Sequence, residues 1–295
     1  MLQSTQVTLS HTFAVDEVAT DASGAVTVTI KRLDGTVLST GAATHPGAAG
    51  LYTYVLPGGP ASPGSLTWQL DALTVDWSGS VGGAVITVRD FVEVVGGFLF
   101  GIAEARLRQK GLANTTTYTT ATLAERRIEV EQTAEWISGQ AWVPRYGRFL
   151  LNGSGTDELV TPDPFLRTVR SIKVAPRAGA TFTALAGDDL AAVAPDDSGI
   201  LARDDGQVWP RGRLNILVEY EHGHDQPRSD IRTAAMTHLR SIAGAATTTV
   251  PDRAISYTTS EGSVYRLSGA GPAATGIPDV DAAYRRDAVE RVWIS

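Results

Sequence analysis

The chain has 295 residues, no cysteine, a hydrophobic share of 43% and a formal net charge of −7. That length admits two domains, and the absence of cysteine excludes disulfides, thiolate metal sites and thiol nucleophiles while leaning towards folding in a reducing cytosol. The negative balance argues against a nucleic-acid grip, which needs a basic face.

Met1 to Ser10 has no basic start and no long apolar core, so no signal peptide is read there. From Gln6 to about Val95 the pattern is all-β. Val26, Val28 and Ile30 alternate with Thr27 and Thr29, the period of a half-buried strand, and Asp34-Gly35 follows as a tight-turn pair. Leu51–Leu56, Ser65–Leu73 and Ala84–Val95 read as further strands, separated by turns at Pro57–Pro60 and Gly79–Gly83. Strands at this spacing predict a small immunoglobulin-like sandwich over residues 1–96, with Trp68 as its buried tryptophan. The most apolar window, near Phe91–Ile102, is broken by Glu93 and three glycines and falls short of the roughly 20 residues of a membrane span. We therefore expect a soluble protein with no membrane partner.

At Gly96-Gly97 the composition shifts to Ala, Glu and Arg, and an α+β domain is expected over residues 97–246. Phe98–Arg108 reads as a short helix stopped by Gly111. Thr122 and Glu125 have the spacing of a capping box. The helix they open carries the stripe Leu123, Val130, Ala134, Ile137 and Ala141, with Glu125, Arg126, Glu129 and Glu131 off it, and Pro144 closes it. A β insert over about 146–222 follows, with strands at Arg148–Asn152, Glu158–Thr161, Val169–Val174, Ile200–Ala202 and Arg213–Tyr220. Pro227, Ser229 and Asp230 open a last core helix with the stripe Ile231, Ala235, His238 and Ile242, ended by Gly244. Residues 247–295 form an extended tail: a hairpin over Ser256–Leu267 around Glu261-Gly262, an irregular Gly/Pro/Ala stretch, and a short helix over Asp279–Val292. Such a segment has little apolar surface to bury by itself and is expected to order against a partner.

No catalytic, cofactor or metal site is read in the chain. His222, His224 and Asp225 stand close together, and two histidines two apart on a strand share a side, yet nothing supplies the remaining ligands that structural zinc wants. A turn before Pro227 is the better reading. His238 is read as a packed histidine. The pairs Asp188-Asp189, Asp196-Asp197 and Asp204-Asp205 are read as solvated loops and not as paired catalytic acids, and no nucleophile elbow or phosphate-cradling loop is present. Arg167, Arg170, Lys173 and Arg177 could form a local basic patch, although scattered arginines are the blander reading.

Several short motifs stand in a fixed order: Trp142-Val143-Pro144-Arg145, the strand Val169–Val174, Trp209-Pro210, Tyr220-Glu221-His222-Gly223, and a proline-started helix. In that order the segment Phe98–Ile242 resembles the head-to-tail adaptor (head-tail connector) proteins of tailed bacteriophages. The run Thr275–Asp281 is similar to the end of adaptors from phages of actinobacteria, which also carry an N-terminal immunoglobulin-like domain. The resemblance implies a structural virion protein, assembled in the host cytoplasm and placed in the head-tail neck. It implies a homo-oligomeric ring, twelve-fold in the family, seated on the portal protein. That ring would extend the DNA channel, let double-stranded DNA pass without specific binding, and dock a head-closure (stopper) or tail connector protein. Trp142, Pro144, Arg145, Trp209, Tyr220, His222 and Gly223 are then the adaptor-domain motif residues. Tyr257, Tyr265, Ile277, Val280, Tyr284, Arg285 and Trp293 are the tail residues expected to touch the portal or a neighbouring subunit. The alternatives are a minor tail protein or a carbohydrate-binding or adhesive module, the latter calling for exposed aromatic platforms at Trp68, Trp77 or Tyr52.

Overall fold

The computed structural model describes residues 7–56, 69–185, 187–245, 256–258, 264–266 and 275–289. The chain divides into two compact units, Met1–Gly97 with Pro144–Gly147, and Phe98–Val143 with Arg148–Ser295.

The first unit is built of antiparallel strands: β1 (Val7–Thr12), β2 (Ala14–Val15), β3 (Val18–Ala19), β4 (Thr27–Arg32), β5 (Val37–Ala42), β6 (Leu51–Leu56), β7 (Asp71–Val81) and β8 (Ala84–Val94). One sheet has the order β5-β4-β7-β8, and β1 pairs with β6 in a second. Both sheets feed one core: Val28, Ile30, Leu73, Val75 and Trp77 meet Phe13, Tyr52 and Leu56. The alternation read at Val26, Val28 and Ile30 turns these side chains inward, all fully buried. Asp34-Gly35 makes the expected turn, with the Arg32 amide donating to the Thr36 carbonyl and Gly35 at φ +90°.

One strand boundary differs from the sequence reading. β7 runs on through Gly79, which pairs with Ile86, so the turn contracts to Gly82-Gly83. The cause is continuous pairing with β8 from Asp71 to Val81, with β4 on the other flank as far as Ser78, which outweighs the low strand preference of a single glycine. Trp77 is the tryptophan found in this core, while Trp68 and residues 57–60 lie outside the described residues. On the opposite face Asp76 sits between Lys31 Nζ at 2.9 Å and Arg89 Nε at 2.6 Å. The Arg89 hydrogen bond, helped by Lys31, lowers its carboxyl to about 2.

The second unit opens with α1 (Ile102–Arg108), a single 3-10 turn (Lys110–Leu112) and α2 (Thr120–Ser138). Helix α1 starts four residues later than the sequence suggests, because the Leu99 amide donates to the Glu131 carboxylate of α2 and holds the chain out of helical geometry. Gly111 lies inside the 3-10 turn and does not cap α1. Helix α2 begins before the expected capping box: Thr119 is the cap, its hydroxyl accepting from the Thr122 amide at 3.2 Å. The helix ends at Gly139, whose φ of +70° is the left-handed stop that glycine adopts without strain. Pro144 lies five residues beyond that stop, so the Ala141–Arg145 run follows the helix and does not finish it.

The β insert comprises β9 (Arg145–Gly153), β10 (Glu158–Val160), β11 (Leu166–Val174), β12 (Thr183–Ala184), a one-turn helix α3 (Asp188–Ala191), β13 (Val193–Pro195), β14 (Ile200–Arg203) and β15 (Gly212–His222). They form a four-stranded sheet, β12-β11-β15-β9, and a three-stranded one, β10-β14-β13. The expected strands are present; β12, α3 and β13 are too short to announce themselves in the sequence. Helix α4 (Ser229–Ala245) then buries Ile231, Ala235 and His238 and continues through Gly244, an expected stop that does not act as one. The tail gives β16 (Ser256–Thr258) and β17 (Val264–Arg266), an antiparallel pair placing Tyr257 opposite Tyr265, and α5 (Pro278–Arg285). The hairpin loop at Glu261-Gly262 lies outside the described residues.

Two cores result. Helices α1, α2, α4 and α5 share one that includes Leu123, Val130, Trp142, Ile231, Leu239, Val280 and Tyr284. The insert has its own around Ile172, Leu201, Trp209, Ile216, Val218 and Tyr220.

Candidate functional site

The motif residues are framework residues. Trp142 is buried, its indole N–H donates to Ser138 Oγ at 3.0 Å, and its ring stacks on His224 with centroids 5.3 Å apart. His224 Nε2 meets Gln140 Oε1 at 2.7 Å, and Gln140 in turn donates to the Asp287 carbonyl. Burial lowers the pKa of His224, so it stays neutral in this contact.

Gly223 fixes the crossing of the two chain segments. At φ +96° its amide donates to the Phe165 carbonyl, while a β-carbon built there would lie 2.4 Å from the Val143 carbonyl oxygen. Only glycine lets β15 pass this close to residues 141–143. One residue earlier, His222 Nε2 approaches Asp163 Oδ2 at 3.5 Å, and the buried Tyr220 hydroxyl donates to that same oxygen at 2.8 Å. Burial, reinforced by Asp163, raises the Tyr220 pKa, so the phenol remains a donor.

Trp209 is fully buried and donates to the carbonyls of Asp157 and Leu201, tying the loop before β10 to β14. Pro144 and Arg145 belong to the first unit, where the Pro144 carbonyl accepts from the Gly96 amide and Arg145 pairs with Glu93 at 3.1 Å.

The groups that might have carried chemistry are taken up by structure. Because β15 ends at His222 and Gly223 turns the chain, His222 and His224 face different partners and not one shared side, a correction to the spacing argument. Among the described residues no three His, Asp or Glu side chains gather as a metal site. Asp196 accepts from the amides of Ser198 and Ile200 and organises a turn. Asp205 accepts from the Gln207 amide and pairs with Arg203. In the suspected basic patch, Arg167 pairs with Asp225 at 2.5 Å and Arg170 with Glu221 at 2.5 Å, so the charge of these two is compensated. His238 is a packed histidine, edge-on to Tyr284 at 6.2 Å, and burial lowers its pKa.

The tail residues divide. Val280 and Tyr284 are buried against α2 and α4 of their own chain, with Ile277 packed beside them. The expectation that this segment lacks apolar surface to bury is therefore corrected: positions 277, 280, 283 and 284 make one helical face. Val280 and Tyr284 are not accessible to a partner, whereas Arg285 is exposed. Nothing is described for the side chains of Tyr257 and Tyr265, and Trp293 lies outside the described residues.

Helix α2 holds what the sequence reading misses. Its stripe of Leu123, Val130 and Ala134 is buried as expected, but it also buries Arg127 and Glu131 and exposes Ile128 and Trp136. Arg127 lies over the Phe98 ring, 3.3 Å from its centroid, and reaches the Phe100 carbonyl, while Glu131 takes the Leu99 amide. A signal for this is present in the sequence: Ile128 and Trp136 fall two turns apart on the face opposite Val130 and Ala134.

No family model and no curated protein matches the chain. Among solved structures it is similar to the neck of an empty gene transfer agent (GTA) particle computed with C6 symmetry, at 18% identity and a TM-score of 0.44, covering 66% of this chain and 92% of that one. It is similar also to the neck of a native GTA particle computed with C12 symmetry, at 15% identity and a TM-score of 0.41, covering 68% and 97%. A third similarity, to the virion of a native gene transfer agent particle, has 18% identity, a TM-score of 0.42 and coverage of 66% and 92%.

Proposed function

We propose that the chain is a structural, non-enzymatic component of the head-tail neck of a phage-like particle, a head-to-tail adaptor of the type found in phages of actinobacteria. The observation that carries this reading is the ordered motif set, Trp142 to Arg145, Trp209-Pro210 and Tyr220 to Gly223, lying between two packed helices. Their burial supports it. Residues that hold helices and insert together suit a part whose task is to keep its shape under load. On this reading the helical domain forms a ring, twelve-fold as in the resembling family, on the portal protein. The ring extends the DNA channel and offers its far side to a stopper or tail connector protein. Assembly takes place in the host cytoplasm, and the overall charge of −7 suits a conduit along which DNA slides without being held.

The domain scheme that goes with this is a sandwich over 1–96, an adaptor domain over 97–246 and a tail over 247–295. We assign the first unit to the immunoglobulin-like class on its antiparallel sheets, β5-β4-β7-β8 and β1-β6, that share one core. Arg285, exposed on α5, is kept as a portal or neighbour contact, and Tyr257, Tyr265 and Trp293 are proposed with it from the sequence. The adhesive alternative is disfavoured by burial of Trp77 and Tyr52, two of its three candidate platforms. Electron microscopy of the purified protein with portal-bearing capsids tests the proposal: coaxial rings are expected, and monomers that ignore the portal contradict it.

A further inference from the structure

Two surfaces of the second unit, each exposed, complement each other. One is the outward stripe of α2, where Ala121, Glu125, Ile128, Glu129, Gln132 and Trp136 are all exposed. Trp77, Trp142 and Trp209 are each buried, whereas Trp136 is 60% exposed and Ile128 51%. Two large apolar side chains exposed two turns apart on one helix, with glutamates beside them, suit the mixed apolar and charged anchors of a protein partner.

The other surface is the turn entering β15, residues 208–214. Val208 is 58% exposed and Leu214 41%, and Arg211 and Arg213 are exposed beside them. These two arginines make no ion pair among the described residues, while Arg148 and Arg170 on neighbouring strands pair with Glu219 and Glu221. The turn is also stiff. The Trp209 amide donates to the Thr156 carbonyl, Asn215 Nδ2 to the Pro210 carbonyl, and the Leu214 amide to Asn152 Oδ1 at 2.8 Å. Leu214 is held at φ +46°, a left-handed setting unfavourable for any residue with a side chain and therefore maintained by its surroundings.

We propose that the 208–214 turn of one copy seats on the outer face of α2 of the next. Val208 and Leu214 cover Ile128 and Trp136, and Arg211 and Arg213 face Glu125 and Glu129. Glu129 already pairs with Arg126 at 2.7 Å and keeps a second oxygen for the incoming arginine. Two different patches joined in this way make a head-to-tail contact, which closes into a ring when the rotation permits. That closure rests on the ring reading above; the contact between copies does not.

Because the chain has no cysteine, the test is clean. The double variant L214C/Q132C of the full chain, oxidised at high concentration, gives a ladder of disulfide-linked oligomers, whereas a mixture of the two single variants stops at dimers. W136A weakens self-association about tenfold or more, measured by sedimentation. R211E/R213E abolishes the ladder, and adding E125R/E129R restores it; near-UV circular dichroism confirms that each variant is folded. A ladder that is absent, or unchanged by charge reversal, overturns the proposal. So does R211E/R213E losing affinity for a short DNA duplex with self-association intact, which would make the turn a nucleic-acid contact. Rings on the portal lacking the 214–132 cross-link sink this inference alone, while a ladder without portal-bound rings sinks only the adaptor reading.

Discussion

Replacing Gly223 by alanine is predicted to damage the junction of helices and insert far more than an ordinary glycine substitution does. Two costs combine. A side chain at φ +96° brings a backbone penalty of roughly 1–2 kcal/mol. The added β-carbon also meets the Val143 carbonyl oxygen at 2.4 Å and the Ala141 β-carbon at 3.0 Å, both too close to keep. Overpacking of this kind costs about 1–3 kcal/mol. The sum is roughly 2–5 kcal/mol, or some 5–15 °C in the melting temperature of a unit this size. Gly179 provides the control, since at φ +76° a β-carbon added to it would meet nothing within 4 Å and only the first cost applies. Chemical denaturation of both variants, followed by tryptophan fluorescence, separates the costs. Equal destabilisation by G223A and G179A would refute the argument that the close crossing at Val143 is what demands glycine.

Three single contacts give further tests. Asp76→Asn should cost the first unit about 1–2 kcal/mol at pH 7; because the folded carboxyl is depressed to about 2, its contribution is complete above pH 4 and fades between roughly pH 4 and 2, so acid melts of wild type and variant should converge there. His238 is buried with its pKa lowered, so below about pH 6.5 the unfolded chain takes up a proton that the folded chain resists. Stability of the second unit should therefore fall as pH drops from 7 to 5, and His238→Leu should flatten that slope in thermal melts. Tyr284→Ala should cost about 3–5 kcal/mol, because the ring is wholly buried among helices. If hydrogen exchange of α2 and α4 is unchanged in that variant, α5 does not belong to their core.

What is legible in the sequence follows from where a single local signal decides the outcome. Alternation dictates the inward set Val26, Val28 and Ile30, and the strands of the insert are readable because each combines β-branched residues with a turn signal. Boundaries are lost where a tertiary bond competes with a local preference. Glu131 captures the Leu99 amide and delays α1, and where two caps compete locally, Thr119 takes α2 ahead of the better-looking Thr122 and Glu125. Tail burial is hidden because Val280 and Tyr284 look sparse in sequence and become a face only on a helix set against α2 and α4. The motif residues stand in order in the sequence, but nothing there says that Trp142 and His224 stack, since Gly223 reverses the chain between His224 and the preceding strand. The exposed face of α2 escapes because a stripe containing Ile128 and Trp136 is naturally read for what it would bury, not for what it leaves in solvent.

Ring formation on a portal, proposed above, is open to direct observation. The most direct measurement is a reconstruction, by electron microscopy without imposed symmetry, of portal-bearing capsids incubated with the purified protein. A ring coaxial with the portal is predicted, with α2 of each subunit facing the 208–214 turn of its neighbour. Capsids left bare beside unassembled protein would contradict it.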